Sequence, residues 1–117
     1  MAGPIVVGVD GSAPSHAAVE WAALDARRRR LPLKIVHVCE QWQDNVNGRK
    51  YCAGVLEAAV GRAQALDAGI EVDAEMPGGN VVESLIAQAV RADSIVLGSR
   101  GVGGFSGLLL GSVTLGV

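Results

Sequence analysis

The sequence predicts an α/β fold in which an open parallel β-sheet carries helices on both faces. Four short apolar runs, rich in β-branched residues, alternate with three longer segments of helical periodicity. Strands that alternate with helices in this way form parallel sheets joined by right-handed crossovers. The chain has 117 residues, enough for one core, so we expect a single domain spanning residues 1–117.

The first strand and helix follow from residue type. PIVVGVD, residues 4–10, is typical of a buried strand that ends in a turn. Ser12 or Ser15 then caps a helix that tolerates Pro14 in its first turn and continues through AAVEWAALDARRR. We interpret the arginines at 27–30 as cations at the negative end of the helix dipole, with an RNA or lipid patch as the alternative.

The next elements alternate in the same way. Pro32 stops the first helix, and LKIVHV, residues 33–38, is the second strand. A polar loop leads to a helix that we predict over residues 51–66, where apolar residues share one face. The third strand, residues 70–76, alternates apolar and charged residues and is placed near a sheet edge.

The last predicted helix opens at Asn80, which with Glu83 resembles a capping box, and runs through VVESLIAQAVRA. SIVL, residues 94–97, is the fourth strand. Ligands of such sheets bind beyond the carboxyl ends of the strands. The segments that leave those ends are Asp10-Gly11-Ser12, Val38-Cys39-Glu40 and Gly98-Ser99-Arg100-Gly101.

Composition and charge narrow the classes of partner. A formal net charge of -2 provides no general attraction to nucleic acid, and no apolar run reaches the roughly 18 residues of a spanning helix. We therefore expect neither nucleic acid nor membrane as a partner. MAGPIVVGVDG resembles no leader, which predicts a cytoplasmic protein. Cys39 and Cys52 lack metal-ligand spacing and are expected to be small apolar residues rather than a disulfide.

The most informative stretch is LGSRGVGGFSGLLLGSV, residues 97–113. Glycines let a ligand approach the backbone, so the segment Gly98 to Gly101 can turn several N–H groups toward one anion. Gly111 and Ser112 offer further amides, and a helix that opened there would favour phosphate through its dipole. A Walker A loop is excluded because no lysine follows Lys50, and the first turn lacks G-x-G-x-x-G.

This pattern resembles one family. Gly98-x-x-Gly101, nine residues, then Gly111-Ser112 fits the G-2x-G-9x-G-(S/T) signature of nucleotide-binding universal stress proteins. IVVGVDGS, His37-Val38 and SIVLGSRG follow the family's order and spacing over nearly the whole chain. The resemblance implies a Rossmann-like, adenine nucleotide α-hydrolase-like fold. It also implies an ATP-binding regulator or sensor in the stress response, with little or no hydrolysis.

The resemblance also implies roles for particular residues. Asp10, flanked by Val9, Gly11 and Ser12, would lie beside the ribose and a Mg²⁺ on the phosphates. The backbone of Val38 would pair with the adenine edge. The remaining contacts to ribose and phosphates would come from Gly98, Ser99, Arg100, Gly101, Gly111, Ser112 and Val113.

Alternatives remain for several of these residues. Asp10 is also a candidate cap for the following helix, and Arg100 a candidate solvated charge. The glycine signature as a whole is also compatible with a tail that binds nothing. His37 is interpreted as a hydrogen-bonded core histidine rather than a ligand, because no second histidine or carboxylate has metal spacing.

The chain departs from the family toward Val117, where the usual final helix and last strand have no counterpart. We therefore expect a C-terminally short domain whose fourth strand is an exposed edge. The family's dimer commonly uses the last strand, and we expect a homodimer or other homo-oligomer without that contact.

No catalytic residue is assigned, since no base, nucleophile and second charge converge on the predicted γ-phosphate. Three other functions stay open. They are a weak ATPase using Asp10 and Arg100, a sensor of AMP or cyclic AMP, and an interaction module independent of nucleotide.

Overall fold

A computed structural model describes residues 3–39, 46–66, 69–97 and 111–114, which form one β-sheet with helices on both faces. The strands are β1 (Ile5–Gly8), β2 (Leu33–Val36), β3 (Val72–Glu75), β4 (Ser94–Leu97) and β5 (Gly111–Thr114). The helices are α1 (Ala13–Arg29), α2 (Val46–Leu66) and α3 (Val81–Ala89). The strand order is β3-β2-β1-β4-β5; β1 to β4 are parallel and β5 is antiparallel to β4.

The core has two layers because successive side chains of a strand point to opposite faces. Ile5 and Val7 of β1 pack against α1 and α2, where alanines such as Ala22 let α1 lie close to the sheet. Val6 faces the other way and packs in a cluster with Leu85 of α3. The predicted α/β class, with four parallel strands and helices on both faces, is confirmed.

Both predicted helix caps are also confirmed. The Ser12 hydroxyl accepts the Ser15 N–H at 3.3 Å at the start of α1, and the Asn80 side chain accepts the Glu83 N–H at 2.9 Å at the start of α3. Each side-chain oxygen satisfies an N–H group that has no partner within the helix. None of the helices in the part of the chain that the structure describes is long and apolar enough to cross a membrane.

Strand β5 corrects two expectations. The segment that begins at Gly111 is a strand and not the start of a helix, and it pairs with β4, so that Gly111 lies opposite Leu97. The edge of β4 is therefore covered, whereas we expected it to be exposed. Pairing satisfies the row of N–H and C=O groups along the apolar β4, which explains the preference for a strand here. No fifth parallel strand occurs among the described residues.

The cysteines correct a third expectation. Helix α2 begins at Val46 rather than at Tyr51, and its early turns bring Cys52 next to Cys39, the residue two positions beyond His37. The two cysteines form a disulfide with Cα atoms 5.9 Å apart, within the range that the bond requires. The expectation of free cysteines rested on compartment base rates, which carry no information about the distance between two residues.

Candidate functional site

The sheet has one point where the direction of winding reverses. From β1 the chain moves outward to β2 and β3 on one side, whereas β4 lies on the other side of β1. The crevice beyond the carboxyl ends of β1 and β4 is where open α/β sheets bind ligands. The chain after β1 borders this crevice, and the end of β2 lies next to it.

The turn that leaves β1 is built around the Asp10 carboxylate. Its Oδ1 accepts the Ser12 N–H at 2.9 Å and the Ser12 hydroxyl at 2.5 Å. Between them Gly11 has φ +86°, where a Cβ would lie 3.3 Å from Val55 Cγ2 and 3.4 Å from the Tyr51 hydroxyl oxygen. Since Ser12 is the cap of α1, the alternative that Asp10 caps this helix is wrong.

The second oxygen of the same carboxylate is left without a partner. Asp10 Oδ2 is buried and has no hydrogen-bond partner among the described residues. A buried carboxylate oxygen that lacks a partner is costly, and a ribose hydroxyl or a divalent cation would relieve that cost. No cluster of three or more potential metal ligands exists in the described ranges. Mg²⁺ commonly takes one or two carboxylates from a protein and its other ligands from phosphates and water.

The end of β2 presents unpaired backbone groups to the same crevice. The chain stays extended beyond the strand, because the His37 N–H donates to the Glu75 C=O at 3.1 Å and the Cys39 N–H to the Pro77 C=O at 2.9 Å. Val38 lies between them and faces the other side, toward β1. Within the described residues neither the N–H nor the C=O of Val38 is hydrogen bonded.

The His37 ring lies where the next ladder bond from Val38 would form. The Val9 N–H donates to the Val36 C=O at 2.9 Å, so the next bond of a parallel ladder would join the Val38 N–H to the Val9 C=O. Instead His37 Nδ1 lies 2.8 Å from the Val9 oxygen. A carbonyl only accepts, so Nδ1 carries the proton. The imidazole is 7% exposed, which confirms the interpretation of His37 as a hydrogen-bonded core histidine.

The glycine signature is described only at its far end. Gly111 lies opposite Leu97, so the chain that leaves β4 at its carboxyl end comes back to that end. Ser112 and Val113 then run along β4 toward its amino end, opposite Val96 and Ile95. The remaining predicted contacts, Gly98, Ser99, Arg100 and Gly101, lie outside the described residues.

Comparison with known proteins supports the family resemblance. The family model described as "Universal stress protein family" matches residues 1–117. The chain belongs to the universal stress protein family. A universal stress protein of Mycobacterium tuberculosis is 34% identical over 126 aligned residues, and one of Mycolicibacterium smegmatis is 35% identical over 124. Each match covers 94% of this chain, but the chain spans only 42% of the length of either relative.

Two solved universal stress protein structures are similar to this one and contain nucleotides. One is a crystal structure in complex with cAMP, with a TM-score of 0.69 and 29% identity over 90% of this chain and 78% of that one. The other, from Archaeoglobus fulgidus, is in complex with dAMP, with a TM-score of 0.67 and 25% identity over 81% of this chain and 79% of that one. Both ligands are adenine nucleotides.

Two features of this edge are not predicted by the sequence. Tyr51 has no predicted role, because α2 is expected to begin there rather than to pass over the Gly11 turn. His37 is predicted as part of the core alone. The ladder bond that His37 replaces depends on the register between β1 and β2, which periodicity does not specify.

Proposed function

We propose that this universal stress protein domain binds an adenine nucleotide at the carboxyl ends of β1, β2 and β4. ATP with Mg²⁺ is the proposed ligand, and the proposed role is that of a regulator or sensor in the stress response, with little or no hydrolysis. The observation that carries the proposal is the unpaired backbone of Val38, which faces the end of β1; Asp10 follows that end and has one carboxylate oxygen without a partner.

The backbone of Val38 has the polarity that the adenine edge requires. Adenine presents an amino donor next to a ring-nitrogen acceptor, so the Val38 C=O would accept from the amino group while the N–H donates to the ring nitrogen. A base with a carbonyl and a protonated ring nitrogen there presents the opposite polarity. Such a base would leave buried groups unpaired, which is the strongest source of discrimination in binding sites.

Asp10 would hold the next part of the nucleotide. Its Oδ1 is occupied by Ser12, which fixes the carboxylate, and Oδ2 is the atom available to a ribose hydroxyl or to Mg²⁺. Magnesium, when bound with the nucleotide, would neutralise phosphate charge beside this carboxylate. Gly98 to Gly101 and Gly111 remain the proposed contacts to ribose and phosphates, on the strength of the family signature. Ser112 and Val113, which the signature also implies, lie farther along β4, opposite Val96 and Ile95.

A second candidate function is a sensor of adenosine monophosphates, including cyclic AMP. It is favoured by the two similar structures, whose bound nucleotides are cAMP and dAMP. Both candidates use the same adenine contact at Val38 and differ in the number of phosphates beyond the ribose. Cytoplasmic location and a homo-oligomeric state remain predictions.

Isothermal titration with ATP, ADP, AMP and cyclic AMP, each with and without Mg²⁺, tests the proposal. We expect ATP to bind more tightly with Mg²⁺, and Asp10→Asn to weaken ATP binding by about tenfold to a hundredfold, since a charge-assisted contact is lost. Gly61→Ala, on the exposed side of α2, is the control and should leave affinity unchanged. Preference for monophosphates would select the second candidate, and absence of heat with all four would refute nucleotide binding.

A further inference from the structure

We propose that His37 is a positioning residue: its ring N–H occupies the Val9 carbonyl and so keeps the Val38 backbone unpaired for the nucleotide base. The inference rests on the proposed function, which it deepens by naming the residue that sets base preference. His37 itself need not touch the ligand. Its effect passes through a single backbone carbonyl at the end of β1.

His37 interrupts the hydrogen-bond ladder between β1 and β2. Parallel pairing of β1 with β2 is regular from Ile5 opposite Leu33 to Gly8 opposite Val36. The Val9 N–H continues the pattern at 2.9 Å, but the following bond, from Val38 to Val9, is not formed. The His37 ring supplies the donor in its place, at 2.8 Å from the Val9 oxygen.

The surrounding hydrogen bonds hold Val38 in this orientation. The amides of His37 and Cys39 on either side donate to β3 and its continuation, at 3.1 and 2.9 Å, so the backbone cannot rotate freely. The disulfide from Cys39 to Cys52 ties the next residue to α2. The polar groups of Val38 are thus fixed toward the crevice, where a planar base edge can meet both of them.

Removal of the ring donor would change the bonding of the Val9 carbonyl. The Val9 carbonyl lies beside a fully buried strand and would be left without a partner, which is costly. The nearest replacement is the donor that ladder geometry provides, the Val38 N–H. If that bond formed, the Val38 N–H could no longer donate to the base, and only the Val38 C=O would hydrogen bond to it.

His37→Leu and His37→Asn form a matched pair of variants. Leucine removes the donor from the buried position, whereas the amide of asparagine can place an N–H near the position of Nδ1. His16→Leu is the control for loss of a histidine, because that half-buried ring lies on α1 near Arg62. Circular dichroism establishes that each variant is folded before it is compared.

Two measurements are made on each protein. The first, by NMR, has two parts. It records the exchange rate of the Val38 amide, and it detects any scalar coupling between the Val38 nitrogen and the Val9 carbonyl carbon across a hydrogen bond. In the wild type and in His37→Asn we expect faster exchange at Val38 than at His37 or Cys39, and no such coupling. In His37→Leu we expect the coupling to appear and exchange to slow by about tenfold.

The second measurement is isothermal titration with ATP and with inosine triphosphate, whose base presents a carbonyl and a ring N–H. We expect the preference for ATP to fall by about tenfold in His37→Leu and to be retained in His37→Asn. A Val38–Val9 coupling in the wild type overturns the proposal without any variant. An unchanged base preference in a folded His37→Leu overturns it as well.

Nucleotide binding and the role of His37 can be refuted separately. If no protein binds ATP while the Val38 coupling still appears in His37→Leu, nucleotide binding is refuted and with it the role of His37 in base preference. If the wild type binds ATP but shows the Val38–Val9 bond, only the inference about His37 is refuted.

Discussion

The two ends of the sheet differ in how their charged and polar groups are paired. At the amino end, Arg29 joins α1 to the start of β4, with Nη1 3.4 Å from Asp25 Oδ2 and Nη2 2.7 Å from Asp93 Oδ2, and Arg28 also pairs with Asp25. At the carboxyl end, Asp10 Oδ2, His37 Nε2 and the Val38 backbone have no partner among the described residues. At the amino end the buried Ser94 hydroxyl has no partner among the described residues, and Asp93 Oδ2 has none beyond its ion pair with Arg29.

This difference separates polar groups that stabilise the fold from those available to a ligand. Arg28 and Arg29 form ion pairs within the chain, and Arg27, Arg28 and Arg29 lie in the last turn of α1, where cations were predicted at the negative end of the helix dipole. At the carboxyl end, buried polar groups without partners reduce the stability of the fold. Such groups mark binding sites when they converge on one crevice.

The largest effect at the carboxyl end is expected from reduction of its disulfide. Reduction should lower the free energy of unfolding by about 3 kcal/mol, the value expected for a closed loop of roughly 15 residues, since the two cysteines are 13 positions apart. Urea denaturation with and without dithiothreitol measures it. The double variant Cys39→Ala with Cys52→Ala is the control, whose urea midpoint should not respond to the reductant. Equal midpoints for the oxidised and reduced wild type would contradict the bond.

The next largest effect is expected at the Gly11 turn. Gly11→Ala should destabilise the domain by about 1–2 kcal/mol, because a side chain is strained at φ +86° and would crowd Val55. Gly61→Ala is the matched control: nothing lies within 4 Å of its added Cβ, and in a helix the change should stabilise by up to about 1 kcal/mol. Thermal denaturation compares the two, and a loss of similar size in both would argue against turn strain.

Local patterns predicted most of the fold. Buried strands such as IVVG, the caps Ser12 and Asn80, and the edge position of β3 all follow from short-range periodicity and residue type. Predictions failed where distant parts of the chain meet. The disulfide depends on where α2 starts, and β5 depends on a pairing with β4 that its own four residues do not specify.

In the candidate site, too, the residues could be predicted but their contacts could not. Asp10 and Val38 were assigned by resemblance, and the structure places both at the carboxyl edge of the sheet. Which atoms of these residues are unpaired was not predictable. For Asp10 that property depends on the geometry of one turn, in which Ser12 donates to a single carboxylate oxygen. For Val38 it depends on the His37 ring meeting the Val9 carbonyl, which requires the register between β1 and β2.

At the amino end, Arg29→Met tests whether the paired charges stabilise the fold without affecting the site. Methionine keeps much of the apolar stem but removes the link between Asp25 and Asp93, so the urea midpoint should fall. Nucleotide affinity should be unchanged, since Asp10 and Val38 lie at the opposite end of the sheet. Isothermal titration with ATP checks this, and weaker binding by folded Arg29→Met would contradict the separation of the two ends.

The smallest effect is expected from a pair between the two ends, on the face covered by α3. The Lys34 ammonium lies 2.8 Å from Glu75 Oε1, and its hydrogen bond lowers the pKa of Glu75 from the ordinary 4.5; burial opposes this shift, and the Lys34 charge and a hydrogen bond from Gln88 reinforce it. A lowered pKa in the folded state means that the carboxylate stabilises the fold above the pKa of the unfolded chain. That contribution is lost as pH falls through the folded value.

Glu75→Gln should therefore be less stable than the wild type near neutral pH by no more than about 1 kcal/mol, because the Glu75 side chain is 45% exposed. The difference should shrink as pH falls below 4.5 and vanish once the wild-type carboxyl is protonated. Urea denaturation across that range measures it, with Glu71→Gln, an exposed carboxylate just before β3, as the control. A difference that grew in acid would show that Glu75 is destabilising as a carboxylate, and that desolvation outweighs its pairing with Lys34.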